Sequence, residues 1–130
     1  MTPFVHHVCI QTNQYEASKA FYLALGFKLE EETPNFHGRN FNTWLSLNGF
    51  FIELQTGKKE LTPFDKNHEG IQHLCLYTDD LEGVIESLAT YSDNFIKKDG
   101  KIIYHVANGE LFKLTAPEGT IIEYRNNLGI

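Results

Sequence analysis

Glu53 and Glu123 occupy the same place in two short apolar runs, GFFIEL (49–54) and GTIIEY (119–124). A carboxylate inside a strand-like run is costly to bury unless it is paired, hydrogen-bonded or bound to a metal. Two histidines recur in the same manner: His7 opens HVCIQT and His73 opens HLCLYT. Two imidazoles and two carboxylates are donors suited to one divalent first-row metal, and coordination would resolve the burial of the glutamates. The donor types do not choose among zinc, nickel, cobalt, manganese and iron. A single strand histidine or glutamate is ordinarily a hydrogen-bonded core group or a solvated residue. It is the repetition of the pair that points to a metal.

The repetition extends to the elements that must carry these residues. His7, Cys9, Ile10 and Thr12 align with His73, Cys75, Leu76 and Thr78, whereas Gly49, Ile52 and Glu53 align with Gly119, Ile122 and Glu123 four residues further out of phase. The second copy therefore holds extra loop or turn residues, where insertions are tolerated. Each histidine run reads as a strand followed by an amphipathic helix. In the first helix Tyr15, Ala20, Phe21 and Leu25 form the apolar side, Thr12 or Asn13 is the cap and Gly26 the terminator. In the second, Leu81, Val84, Ile85, Leu88 and Ala89 follow helical spacing behind Asp79 or Asp80. Three strand-like runs come after each helix, with a further short edge piece, NFIKKD, in the second copy. Asn48-Gly49, Asp99-Gly100, Asn108-Gly109 and Glu118-Gly119 are turn signals, which makes neighbouring strands antiparallel. The chain reads as one domain, 1–130, made of two modules at about 1–56 and 70–130, joined by the polar linker 57–69.

Alternation along the strands sorts the side chains. With His7, Glu53, His73 and Glu123 on one face, the other collects Val8, Ile10, Ile52, Leu54, Leu74, Leu76, Ile122 and Tyr124, which is the composition of a face covered by helices. The same parity selects His7 rather than His6, which would face the helices. It places Phe51, Gln55, Tyr77 and Arg125 beside the four donors as candidate substrate-binding residues. Cys9 and Cys75 are expected as buried thiols next to the site, and Glu30, Glu31 and Glu32 as a solvated strand end. His37, His68 and His105 have no counterpart in the other copy and are expected in surface or supporting roles. No P-loop, dinucleotide-binding glycine motif, nucleophile elbow or H-E-x-x-H occurs.

Acidic residues outnumber basic ones by 17 to 11, giving a formal charge of −6, and the lysines and arginines are scattered. That argues against nucleic acid or an anionic membrane as partner and for a small molecule. The apolar runs are far shorter than the ~20 residues of a membrane span, and MTPFVHHVCI lacks the features of a signal peptide. Two separated cysteines without a C-x-x-C fit a reducing compartment, so a cytoplasmic location is expected.

The motifs HHVCIQT with ASKAFYLALGF, FFIELQ, GIQHLCLYTDDLE and LTAPEGTIIEY resemble those of the vicinal oxygen chelate superfamily, which includes glyoxalase I, extradiol dioxygenases, fosfomycin-resistance thiol transferases, an epimerase and bleomycin-resistance proteins. The resemblance implies an α+β fold: two tandem βαβββ modules forming an open curved mixed sheet, as half-barrels, with helices on the outer face. It also implies assembly as a homodimer and one divalent metal per site held by His7, Glu53, His73 and Glu123. A carboxylate at the second position resembles the glyoxalase I pattern. That pattern implies a lyase or isomerase acting on a small oxygenated substrate, such as a thiol hemithioacetal of the lactoylglutathione kind, through an enediolate. Glu123 would then be the general base, with Glu53 as ligand or opposing base. The sequence departs from the family pattern at TNQYEA after the first strand and at Ala116. Two other readings stand beside this one: a dioxygenase or thiol transferase on the same scaffold, and a metal-free protein that sequesters a ligand.

Overall fold

A computed structural model describes residues 1–130, and the chain divides into two compact units, Met1–Pro63 and Phe64–Ile130. The fold class is α+β, each unit carrying its own open mixed sheet. The first contains β1 (His7–Thr12), α1 (Tyr15–Ala24), β2 (Lys28–Phe36), β3 (Arg39–Leu47) and β4 (Phe50–Thr56), with strand order β1-β4-β3-β2. The second contains β5 (His73–Tyr77), α2 (Leu81–Ser87), a 3-10 helix (Ala89–Asn94), β6 (Phe95–Ile96), β7 (Tyr104–Val106), β8 (Gly109–Thr115) and β9 (Ile121–Arg125). Its order is β5-β9-β8-β6, with β7 also paired to β8. In both units the first and last strands are parallel neighbours and the remaining pairs are antiparallel. A parallel pair needs a crossover, and each unit's helix and intervening strands provide it. No helix is long and apolar enough to cross a membrane.

The hairpins follow from residues that tolerate positive φ. Asn48 and Gly49 (φ 50° and 88°) join β3 to β4, and His37 and Gly38 (φ 48° and 82°) join β2 to β3. The turn expected at Asn108-Gly109 is instead Ala107-Asn108, with Ala107 at φ 54° and Gly109 already paired with Val106. Gly109 is required for space: a Cβ there would lie 2.8 Å from Cβ of Asn127.

Helix ends also differ from expectation. The N-cap of α1 is Gln14, whose backbone N–H donates to Thr12 Oγ1 at 2.8 Å, so Thr12 acts from one turn outside. Its buried side is Tyr15, Ser18, Phe21 and Tyr22, while Ala20 is exposed. Gly26 (φ 105°) ends the helix, with Gly26 N–H on Leu23 O and Phe27 N–H on Tyr22 O. Asp80 is the cap of α2, accepting from Gly83 N–H at 3.0 Å. That helix stops at Leu88, earlier than its apolar spacing predicts, and continues as the 3-10 helix. The tightening still buries Leu88 while the polar ATYSDN stretch stays outside.

The cores sit on the helix side of each sheet, as strand alternation predicts. Ile10, Leu45, Ile52 and Leu54 join Phe21, Tyr22 and Phe27 in the first unit; Leu81, Leu88, Phe112, Leu114, Ile122 and Tyr124 do so in the second. Glu32 is more than a solvated strand end. A register shift between Leu29 and Glu31 turns it toward α1, where it accepts from Tyr15 Oη and from Lys19 Nζ, the latter at 2.8 Å. Burial, then the Glu32 hydrogen bond, pushes the Tyr15 phenol up to about 12. The Lys19 hydrogen bond, more than any other cause, holds the Glu32 carboxyl below its ordinary value.

A depressed carboxylate pKa stabilises the fold above the unfolded value, and that contribution is lost as pH falls through the lower folded one. Glu32→Gln is therefore expected to lower stability by roughly 0.5–1 kcal/mol at pH 7, the scale of a solvent-screened pair. Urea denaturation should show this gap closing as the pH falls below about 4.

Candidate functional site

Parallel pairing sets Cys9 beside Glu53 and His7 beside Phe51 in the first unit, and Cys75 beside Glu123 and His73 beside Ile121 in the second. Laterally paired residues share a face, so each histidine leans along its strand toward the glutamate on the next. His7 Nε2 lies 3.6 Å from Glu53 Oε1, and His73 Nε2 lies 3.3 Å from Glu123 Oε1. Both pairs lie on the sheet face away from the helix. Glu123 is the more buried carboxylate and Glu53 is half-buried.

The surroundings of the two pairs differ. Across from Glu53, β3 presents Trp44, whose ring meets that of His7 edge-on at 4.8 Å. Across from Glu123, β8 presents Lys113, with Nζ 3.9 Å from Glu123 Oε1. Cys75 Sγ donates to Glu123 Oε2 at 3.3 Å. Contrary to expectation, Cys9 and Cys75 are exposed residues, because this face has no helix over it. Their thiols are nonetheless partly enclosed by neighbouring strands. That burial, followed by the charge of Glu53, pushes Cys9 up to about 11; burial, then the hydrogen bond and charge of Glu123, pushes Cys75 up to about 12.

His6 does not face the helices. It precedes β1, so strand alternation does not bind it, and its ring stacks on Phe51 at 5.1 Å while its Nδ1 lies 3.0 Å from Nδ1 of His7. Of the residues expected to line a substrate pocket, Phe51 is half-buried under His6 and Tyr77 is exposed. Gln55 is buried, its amide nitrogen donating to Asn42 Oδ1 at 2.8 Å. Arg125 is half-buried, and its Nε is enclosed without a hydrogen-bond partner. Trp44 and Lys113 were not found by sequence reasoning, and His6 was set aside by it. The first two were accessible to it, because antiparallel register sets them opposite the two glutamates.

Each His/Glu pair fits a divalent metal in donor chemistry and spacing. Two donors about 2.1 Å from one ion stand no more than about 4.2 Å apart, a limit that both His/Glu separations respect. Each unit brings two of the four donors together, and no group of three or more His, Cys, Asp or Glu side chains is placed to hold a metal.

A family profile described as "Glyoxalase/Bleomycin resistance protein/Dioxygenase superfamily" matches residues 6–107. The chain belongs to this superfamily. Three of the four donors lie within the matched residues; Glu123 lies beyond them. An uncharacterized protein of Bacillus subtilis (strain 168), YwkD, is 32% identical over 90 residues, which cover 65% of this chain and 68% of that one. Among solved structures, the glyoxalase family protein from Enterococcus faecalis has a TM-score of 0.74 at 19% identity, covering 95% of this chain and 97% of that one. The fosfomycin resistance protein FosX from Listeria monocytogenes, complexed with Mn(II) and sulfate, has a TM-score of 0.70 at 10% identity, covering 98% and 94%. At these identities the structures show a shared fold.

The raised thiol values carry a prediction. Alkylation of Cys9 and Cys75 by iodoacetamide at pH 8 should be far slower than that of an unperturbed cysteine, because little thiolate is present. Glu123→Gln removes a negative charge and an acceptor beside Cys75, so its thiol should titrate lower and react faster while Cys9 is unchanged. Peptide-resolved mass spectrometry of the modification rate against pH reads both effects.

Proposed function

We propose that this protein is a metal-dependent lyase or isomerase of glyoxalase type, acting as a homodimer on a small oxygenated substrate. The observation that carries the reading is the facing of an imidazole Nε2 by a carboxylate on the neighbouring strand, once in each unit, at 3.6 and 3.3 Å. His7, Glu53, His73 and Glu123 are the residues that would hold the metal. When bound, a divalent ion supplies a Lewis acid that stabilises negative charge developing on the substrate oxygens.

In this reading Glu123 is the general base. It takes the proton from the hydroxyl-bearing carbon next to the substrate carbonyl, breaking that C–H bond, and returns it to the former carbonyl carbon, while the hydroxyl proton passes to the former carbonyl oxygen, so the isomerisation is balanced without another reactant. Lys113 provides a positive charge 3.9 Å from the carboxylate. Glu53, set between Trp44 and Cys9, is the ligand or the opposing base. Arg125 and Tyr77, on the same face of the second unit as Glu123, orient polar groups of the substrate, and Phe51 lines its apolar side. Gln55, held by Asn42 across β3 and β4, can reach substrate through its remaining amide capacity. A metal-free ligand-binding role is the second reading, favoured by the convergence of only two donors within either unit.

Protein purified without chelator is expected to carry metal by mass spectrometry and to lose it in a Glu53→Gln, Glu123→Gln double variant. Glu123→Gln alone should keep its circular dichroism spectrum and lose turnover by on the order of 10²–10⁴-fold in an assay of methylglyoxal with thiols across several metals. Failure of the wild type to take up any divalent ion would overturn the enzyme reading.

A further inference from the structure

His7 and His73 each make a second contact, through the ring nitrogen that points away from the glutamate. His7 Nδ1 is 3.0 Å from Nδ1 of His6, and His73 Nδ1 is hydrogen-bonded to Oε1 of Gln72. A carboxamide oxygen has no proton, so His73 Nδ1 must be the donor there. Between two imidazole nitrogens one carries the proton; when His7 donates, the same arrangement results. In both units the partner is the residue immediately before the histidine, and in both the histidine's Nε2 is then the nitrogen turned to a carboxylate.

We propose that His6 and Gln72 are positioning residues. Each accepts the Nδ1 proton of the following histidine and so fixes the ring orientation and tautomer that leave Nε2 of His7 and His73 to face a metal. This rests on the metal-dependent reading of the site, although the hydrogen bonds exist without a metal. The two partners share no chemistry except an acceptor within reach of Nδ1, and both are exposed residues, so a common packing requirement does not explain them. A histidine that binds metal through one nitrogen gains basicity and a fixed orientation when the other N–H is donated, and loss of such a partner typically lowers metal affinity about 10–100-fold.

Two measurements on the full chain test this. In metal-free protein, long-range proton–nitrogen NMR should show Nδ1 protonated on His7 and His73. His6→Ala should disturb only the first of these signals and Gln72→Ala only the second. In competition with a chromophoric chelator, the affinity for zinc should fall about 10–100-fold in each alanine variant. It should return in His6→Gln and Gln72→His, which restore an acceptor. Unprotonated Nδ1 in the wild type, or zinc binding by the alanine variants as tight as wild type, would overturn the positioning role and leave the metal reading intact. A wild type that takes up no zinc or other divalent ion would instead sink the metal reading; the metal-free NMR then still decides whether the two hydrogen bonds set the tautomer.

Discussion

The parallel pairing of first and last strands is the constraint on which each unit depends. It puts His7 next to Phe51 and therefore one diagonal step from Glu53, and it does the same for His73 and Glu123. A slip of one residue along β4 would send Glu53 to the helix side among Ile10, Phe21 and Leu45, and expose Ile52 and Leu54. An unpaired carboxylate in that core would cost several kcal/mol or force protonation. Register is thus specified twice, by apolar burial on one face and by the facing of imidazole and carboxylate on the other.

On that common skeleton the units have diverged at equivalent positions. Trp44 stands across from Glu53 where Lys113 stands across from Glu123, and Gln55 and Gln11 of the first unit correspond to Arg125 and Tyr77 of the second. The first carboxylate thus faces an indole ring across the sheet, the second an ammonium 3.9 Å away. Since the whole chain carries −6, a cation beside Glu123 runs against the net field. Such local charge reversal favours binding or chemistry with a partly negative group.

The repeat made the strand order and the sheet faces readable, because alternation of Val8, Ile10, Ile52 and Leu54 against His7, Cys9 and Glu53 leaves one consistent assignment. Details governed by contacts across the sheet were hidden. The bulge that turns Glu32 toward Lys19 has no local signature in a run of three glutamates. The Ala107-Asn108 turn defeats the preference for Asn-Gly because Gly109 is required against Asn127. His6 escaped because parity applies only within a paired strand, and the strand begins at His7.

The cysteines show how one carboxylate can serve several neighbours. Thiolates beside the imidazoles would offer a metal softer donors and change which ion is preferred. Here partial burial, reinforced by the charge and acceptor oxygens of Glu53 and Glu123, opposes that outcome and keeps Cys9 and Cys75 as thiols throughout the physiological range. To ligate, Cys75 would have to surrender a proton it donates to Glu123 Oε2, the carboxylate whose other oxygen faces His73. While both contacts persist, Cys75 and His73 are both engaged with the one carboxylate. The same glutamates that are costly in an apolar strand therefore help to hold the thiols beside them in the protonated form.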